Sequence, residues 1–352
     1  MNTAIDSKSK ELRELELLEG FLCESSKQEI IQSANYVFNR AYSSIGKLRG
    51  TPEQYLTSRY VSIVNSLQMF LENQNKCIIF VADRRRMGGF ADAMRGLCNL
   101  YHIAKSLNVD FFVDWTCPSD LTNYLIPNKY NWLLQGNEKR YDESEKTIID
   151  FRSNLNLDTS LTDKVSTLLK EFNCVSVRTE DHRREKNYGA NFDELFKPTD
   201  YLQSLIDLHL SALGTEYISV HLRFGNLLGD FNDTKDLPPA LSTEEQASLI
   251  GRCKDRILQI HQENQNSKIF VASDSKKFID TVAPLNFVYT TPGEIVHSSY
   301  DRNKSVEDHT KTFLEYYLLT YSKRIYSVLE GQMYNGGFAR RAALHRKIEF
   351  IQ

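Results

Sequence analysis

Short aliphatic runs, each too brief for a helix and each followed by a stretch with helical spacing, restrict this chain's fold more than any other feature. Residues 77–82 (CIIFVA), 109–115 (VDFFVDW), 216–222 (EYISVHL), 268–274 (KIFVASD) and 324–328 (RIYSV) read as strands buried on both faces. Helices are predicted at about 90–106, 200–213, 243–263, 275–282, 306–321 and 335–344, and one further strand at 287–291 (FVYTT). A strand followed by a helix and another strand joins parallel neighbours, because a parallel pair needs a long crossover connection. The alternation occurs twice, and it predicts an α/β chain with two Rossmann-like domains facing a cleft. Between the two halves, 117–132 reads as loop, 147–151 (TIIDF) and 174–179 (CVSVRT) as short strands, and 191–198 (NFDELFKP) as the approach to a boundary at Pro198.

At 352 residues the chain exceeds what one core usually supports. The division expected is a helical extension over 1–75, a first Rossmann-like domain over 76–199 and a second over 200–352. Residues 8–73 are polar with apolar positions at three and four spacing, which predicts two or three amphipathic helices, with Pro52 in the first turn of the last. Two such faces seek burial, so this arm is expected to form an interface, either of a homo-oligomer or with a partner. No apolar run approaches the roughly 20 residues of a membrane span, and the polar start is no secretory signal. A cytoplasmic location is the expectation. A net charge of −3 gives no reason to expect a nucleic-acid partner, so any bound anion must meet a local cluster. The six cysteines are scattered, with no CxxC pair, which fits reduced thiols better than disulfides or zinc.

Ligands of open α/β sheets sit beyond the carboxyl ends of the strands, and here several of those ends carry polar residues. After the first strand come Arg84, Arg85 and Arg86, then Gly88 and Gly89 opening a helix that carries Asp92. Glycine lets backbone amides approach a ligand, and a helix N-terminus favours anions. The strand at 216–222 ends in His221 and Arg223, followed by Gly225 and Asn226. Arginine offers a permanent charge and a planar fork of donors suited to phosphate oxygens. The strand at 268–274 ends in Ser273 and Asp274, followed by Ser275; these types also serve as helix caps. Asn335, Gly336, Gly337 and Phe338 open the last helix in a fourth such place. There is no G-x-G-x-x-G, no G-x-x-x-x-G-K-[ST], no G-x-S-x-G and no H-E-x-x-H, which disfavours dehydrogenase, P-loop, hydrolase and zincin chemistry.

The segments IIFVADRRRMGGFADAMRGL, ISVHLRFGNLLGD, IFVASDSKKFIDTV and RIYSVLEGQMYNGGFARRAAL, in this order, resemble the α-1,6-fucosyltransferase superfamily, and within it the bacterial nodulation enzymes of the NodZ type. The resemblance covers roughly residues 77–348. It implies a GT-B-like fold, GDP-fucose as donor, a glycan acceptor, inversion at the fucose C1 and no metal requirement. By the same resemblance Arg223 holds the β-phosphate, while His221 and Asp274 lie at the guanine nucleoside. Relatives often carry serine or threonine where this chain has Asn335, Gly336 and Gly337, so backbone amides are expected to replace hydroxyls there.

Breaking a fucosyl phosphate bond releases a diphosphate, so an enzyme without a metal needs fixed cations on the leaving group and a carboxylate near the acceptor hydroxyl. Arg223 is the expected cation, and Asp230 or Asp233 the expected base. Two other readings stay open on sequence alone. One is a transferase using another nucleotide sugar, and the other is a non-catalytic glycan-binding protein on the same scaffold. Trp115, Tyr124 and Trp132 are suited either to stacking on acceptor sugars or to the core.

Overall fold

The computed structural model describes residues 76–83, 88–134, the backbone of 147–151, 160–180, 187–231, 233, 237–265, 267–297 and 304–352. The expected N-terminal helices, the arginine run 84–86 and Cys23 lie outside these. Cys77–Ala104 and Phe111–Gln352 make up the second of two compact units. Both sheets below belong to the second unit, apart from the first residue of β2.

Strands β1 (Cys77–Ala82), β2 (Asp110–Trp115), β4 (Thr147–Phe151) and β5 (Cys174–Thr179) form one sheet in the order β2-β1-β5-β4. Helix α1 (Phe90–Leu107) connects β1 to β2, as the sequence predicts. Each of the six residues of β1 is buried, the burial expected of an inner parallel strand. Helix α1 approaches the end of β5 so closely that a Cβ on Gly96 would lie 1.8 Å from the Thr179 carbonyl oxygen. Only glycine allows that seat.

The strands expected at 147–151 and 174–179 are β4 and β5, and the segment between the halves holds further elements, one of them inside the stretch 117–132 read as loop. Leu125–Pro127 (β3) pairs antiparallel with Phe196–Pro198 (β6), and α2 (Leu161–Glu171) and α3 (Tyr188–Leu195) flank β5. The start of α2 is marked by Ser160, whose Oγ accepts the Asp163 amide at 3.1 Å, and its inner face by Leu161, Val165 and Leu169. That cap and spacing were visible in SLTDKVSTLL.

The second sheet is parallel throughout, in the order β11-β10-β7-β8-β9, from β7 (Ile218–Leu222), β8 (Ile269–Ser273), β9 (Val288–Tyr289), β10 (Arg324–Val328) and β11 (Glu349–Ile351). Its connections are α4 (Asp200–Leu213), α5 (Thr243–Glu263), α6 (Lys276–Val282), α7 (Val306–Thr320) and α8 (Gly337–Arg346). Helix α5 has the bounds predicted, and Ser242 with Glu245 forms its capping box. The expected five-residue strand at 287–291 shortens to two residues on the sheet edge, and the short β11 was not anticipated. Helix α8 turns back against α3, where a Cβ on Gly189 would meet the His345 carbonyl oxygen at 2.1 Å and His345 Nε2 lies 2.9 Å from Asp193 Oδ1. Tyr188 and Tyr316 share a hydrogen bond of 2.9 Å in the same seam.

Trp115, Tyr124 and Trp132 are buried at 6%, 2% and 2% exposure. Trp132 donates to the Leu195 carbonyl, and Tyr124 stacks on Phe313 with centroids 4.2 Å apart. These three rings are core. Cys253 is a buried free thiol.

Candidate active site

Register places the site. Leu222 pairs with Ser273 across β7 and β8, so the next residue of each strand, Arg223 and Asp274, emerges beside the other at the carboxyl edge. Val328 of β10 flanks Leu222 on the opposite side, and the chain beyond it leads to Tyr334 and the Gly336–Gly337 opening of α8. A cavity of about 570 Å³ lies there, within the range of small-molecule sites. The carboxyl ends of the first sheet close it with Gly88, Gly89, Asp92 and Glu180.

On the second-sheet side, His221, Arg223, Ser273, Asp274, Gly336, Gly337 and Phe338 line the cavity. Arg223 is held on three sides. Its Nη1 lies 3.3 Å from Asp274 Oδ2, its Nη2 bonds Asp233 Oδ2, and its Cζ sits 4.8 Å over the Phe231 ring. Asp274 also accepts the amides of Phe224 and Gly225, each at 2.8 Å, and so fixes the turn that begins at Arg223. Gly225 adopts φ +59°, the left-handed region that suits glycine. Burial raises the Asp274 carboxyl above its ordinary range against the pull of Arg223 and those two amides.

His221 is buried, and burial first and the Arg223 charge second push its imidazole down to about 3. The ring is neutral at physiological pH. It makes no hydrogen bond among the described residues, and its nearest ring neighbour, Phe338, is 5.7 Å away. A neutral imidazole with unspent polar atoms on a cavity wall has hydrogen bonds to offer a ligand.

Several predicted residues stand behind the wall rather than on it. Asn226 accepts the Asp233 amide at 2.8 Å and so positions that carboxylate, while Gly225, Ser275 and Asn335 do not line the cavity. Asp230, expected as a base, also lies outside. Its carboxylate accepts Ser275 Oγ at 2.9 Å and the Lys277 amide at 2.8 Å, which ties the loop to the start of α6. That engagement leaves the base role without geometric support. Asp233 does line the cavity, but as the partner of Arg223 with His297 Nε2 at 3.7 Å.

Sequence reading missed Glu180, Tyr334 and the cluster of Thr291, Lys311 and Glu315. Lys311 Nζ is 2.6 Å from Thr291 Oγ1 and 2.9 Å from Glu315 Oε1, a buried pair that closes the cavity beside β9. Tyr334 is 47% exposed at the rim, so it, rather than the buried tryptophans, offers an aromatic face to a ligand. Only Glu180 carried a usable signal, as an acidic residue directly after a strand. Among the described residues no group of three or more His, Cys, Asp or Glu is arranged to hold a metal ion, and no helix is long and apolar enough to cross a membrane.

A crystal structure of the NodZ α-1,6-fucosyltransferase soaked with GDP-fucose, an enzyme known from Bradyrhizobium, superposes with a TM-score of 0.51 at 14% identity, covering 76% of this chain and 92% of that one. The fold is GT-B. A variant of Arabidopsis thaliana FUT1 in complex with GDP aligns at 0.47 and 11%, over 78% of this chain and 69% of that chain. POFUT1 in complex with GDP aligns at 0.48 and 11%, over 79% and 98%. No family model and no curated protein matches the sequence. At this identity the GT-B likeness carries the fold and does not set the nodulation branch apart from other fucosyltransferases.

Proposed function

We propose that the protein transfers fucose from GDP-fucose to a glycan hydroxyl, with inversion at C1 and without a metal ion. The observation that carries this reading is Arg223, pinned at the carboxyl edge of a parallel sheet on the wall of a cavity large enough for the donor. Departure of GDP places growing negative charge on the β-phosphate. A guanidinium held in advance stabilises that charge without reorganising in the transition state. The start of α8 adds to the effect, because the Gly337 amide opens the helix with no side chain to obstruct it, while the Gly336 amide is spent on the Tyr334 carbonyl at 2.9 Å. His221, neutral and unbonded, is available to the nucleoside. Asp233 and Asp274 orient the guanidinium, and their two negative charges also mean that an incoming phosphate competes for Arg223. The helix dipole and a displaced Asp233 then offset the repulsion.

Calorimetry tests the donor assignment. GDP binds at least tenfold more tightly than UDP, and Arg223→Ala removes GDP binding; equal affinity for the two nucleotides would overturn the reading.

A further inference from the structure

We infer that Glu180 is the general base that takes the proton from the acceptor hydroxyl, an assignment that rests on the transferase reading above. Six carboxylates reach the cavity: Asp92, Glu180, Asp233, Asp274, Glu294 and Glu315. Five have a cationic partner. Asp92 pairs with Arg95 at 3.1 Å, Asp233 and Asp274 with Arg223, Glu294 with Lys304, and Glu315 with Lys311. A carboxylate held by a guanidinium or ammonium loses most of its freedom to turn toward a substrate. Glu180 has no ion pair among the described residues.

Its placement fits the task. Glu180 directly follows β5, so it stands at the carboxyl edge of the first sheet, whereas Arg223 stands at that of the second. An in-line displacement needs the attacking oxygen and the leaving phosphate on opposite sides of the fucose ring, and these two residues reach the one cavity from opposite sheets. Oε1 accepts the Gly88 amide and Arg95 Nε donates to the Glu180 carbonyl at 2.9 Å, so both ends of the residue are anchored to the start of α1. Oε2 has no hydrogen-bond partner among the described residues. In the step, Oε2 accepts the hydroxyl proton while the hydroxyl oxygen bonds C1. The C1–O bond to the β-phosphate breaks, its electron pair leaves with GDP, and Glu180 later passes the proton to water.

The test uses GDP-fucose with the full chain, water or a pooled glycan mixture as acceptor, and GDP release as the readout. Glu180→Gln keeps an oxygen for the Gly88 amide and so keeps the fold. It lowers kcat about a hundredfold or more, while GDP affinity by calorimetry stays within twofold. Glu180→Ala loses as much rate, and added formate restores part of it; formate does nothing for Glu180→Gln. If Glu180→Gln turns over within threefold of wild type while GDP binds normally, the assignment fails and the transferase reading stands. If the wild type binds GDP but releases none from GDP-fucose under either condition, both fall.

Discussion

The two walls of the cavity are built differently. On the second-sheet wall almost every polar group is committed to another: Arg223 to Asp233 and Asp274, Asp274 to the amides of Phe224 and Gly225, and Asn226 to the Asp233 amide. On the first-sheet wall the polar groups are fewer, and Glu180 keeps an oxygen unspent. The contrast follows from what each wall must do under the proposed chemistry. Stabilising a leaving diphosphate rewards charges fixed in advance, whereas accepting a proton requires a group left unpaired until the acceptor arrives.

The largest effect should come from breaking the rigid wall at its centre. Arg223→Ala lowers GDP affinity at least a hundredfold, about 3 kcal/mol, read by calorimetry. A strong effect on the other wall should be structural. Gly96→Ala forces a methyl group against the Thr179 carbonyl and lowers stability by about 1–3 kcal/mol in denaturant titration, because α1 must lift off the strand end that carries Glu180.

Acid should separate the walls next. His221 binds a proton at an ordinary value near 6.5 when unfolded and at about 3 when folded. In that window the unfolded chain holds more protons, so this residue makes stability fall as pH drops below 6.5, by about 2 kcal/mol at pH 5. His221→Gln flattens that part of the acid-unfolding curve; an unchanged curve would mean that the imidazole is solvated. Asp274→Asn is expected to cost less, about 1 kcal/mol. It leaves one backbone amide facing an NH₂ group, but it also relieves a carboxylate whose burial already disfavours its charge. The smallest change is Gly337→Ser, where an added Cβ meets nothing closer than Ala91 Cβ at 4.0 Å. Stability stays within about 0.5 kcal/mol, and GDP affinity rises slightly if the new hydroxyl reaches the phosphate.

Much of this was legible beforehand wherever a residue's role follows from its neighbours in the chain. The strands at 77–82 and 324–328 and the helix at 243–263 have the bounds that their apolar spacing and caps predict. His221, Arg223, Asp274 and Gly336 were marked by standing at strand ends or helix starts. The register of β7 on β8 then brought Arg223 and Asp274 side by side. Reading failed where pairing was distant. β3 and β6 are three residues each, separated by about seventy positions, and neither run alone is long enough to declare a strand.

Periodicity and glycine placement by themselves determined the layer architecture, the edge on which ligands must sit and the arginine most suited to phosphate. Tertiary structure alone decided which carboxylate was left unpaired. Asp230 and Asp233 look alike along the chain. One is spent on the start of α6 and the other on Arg223, while Glu180, more than forty residues earlier, reaches the same cavity without an ion pair among the described residues. The reason is physical: strand and helix formation are governed by short-range periodicity and backbone sterics, but a carboxylate's availability depends on which cation the folded chain brings within a few ångströms of it.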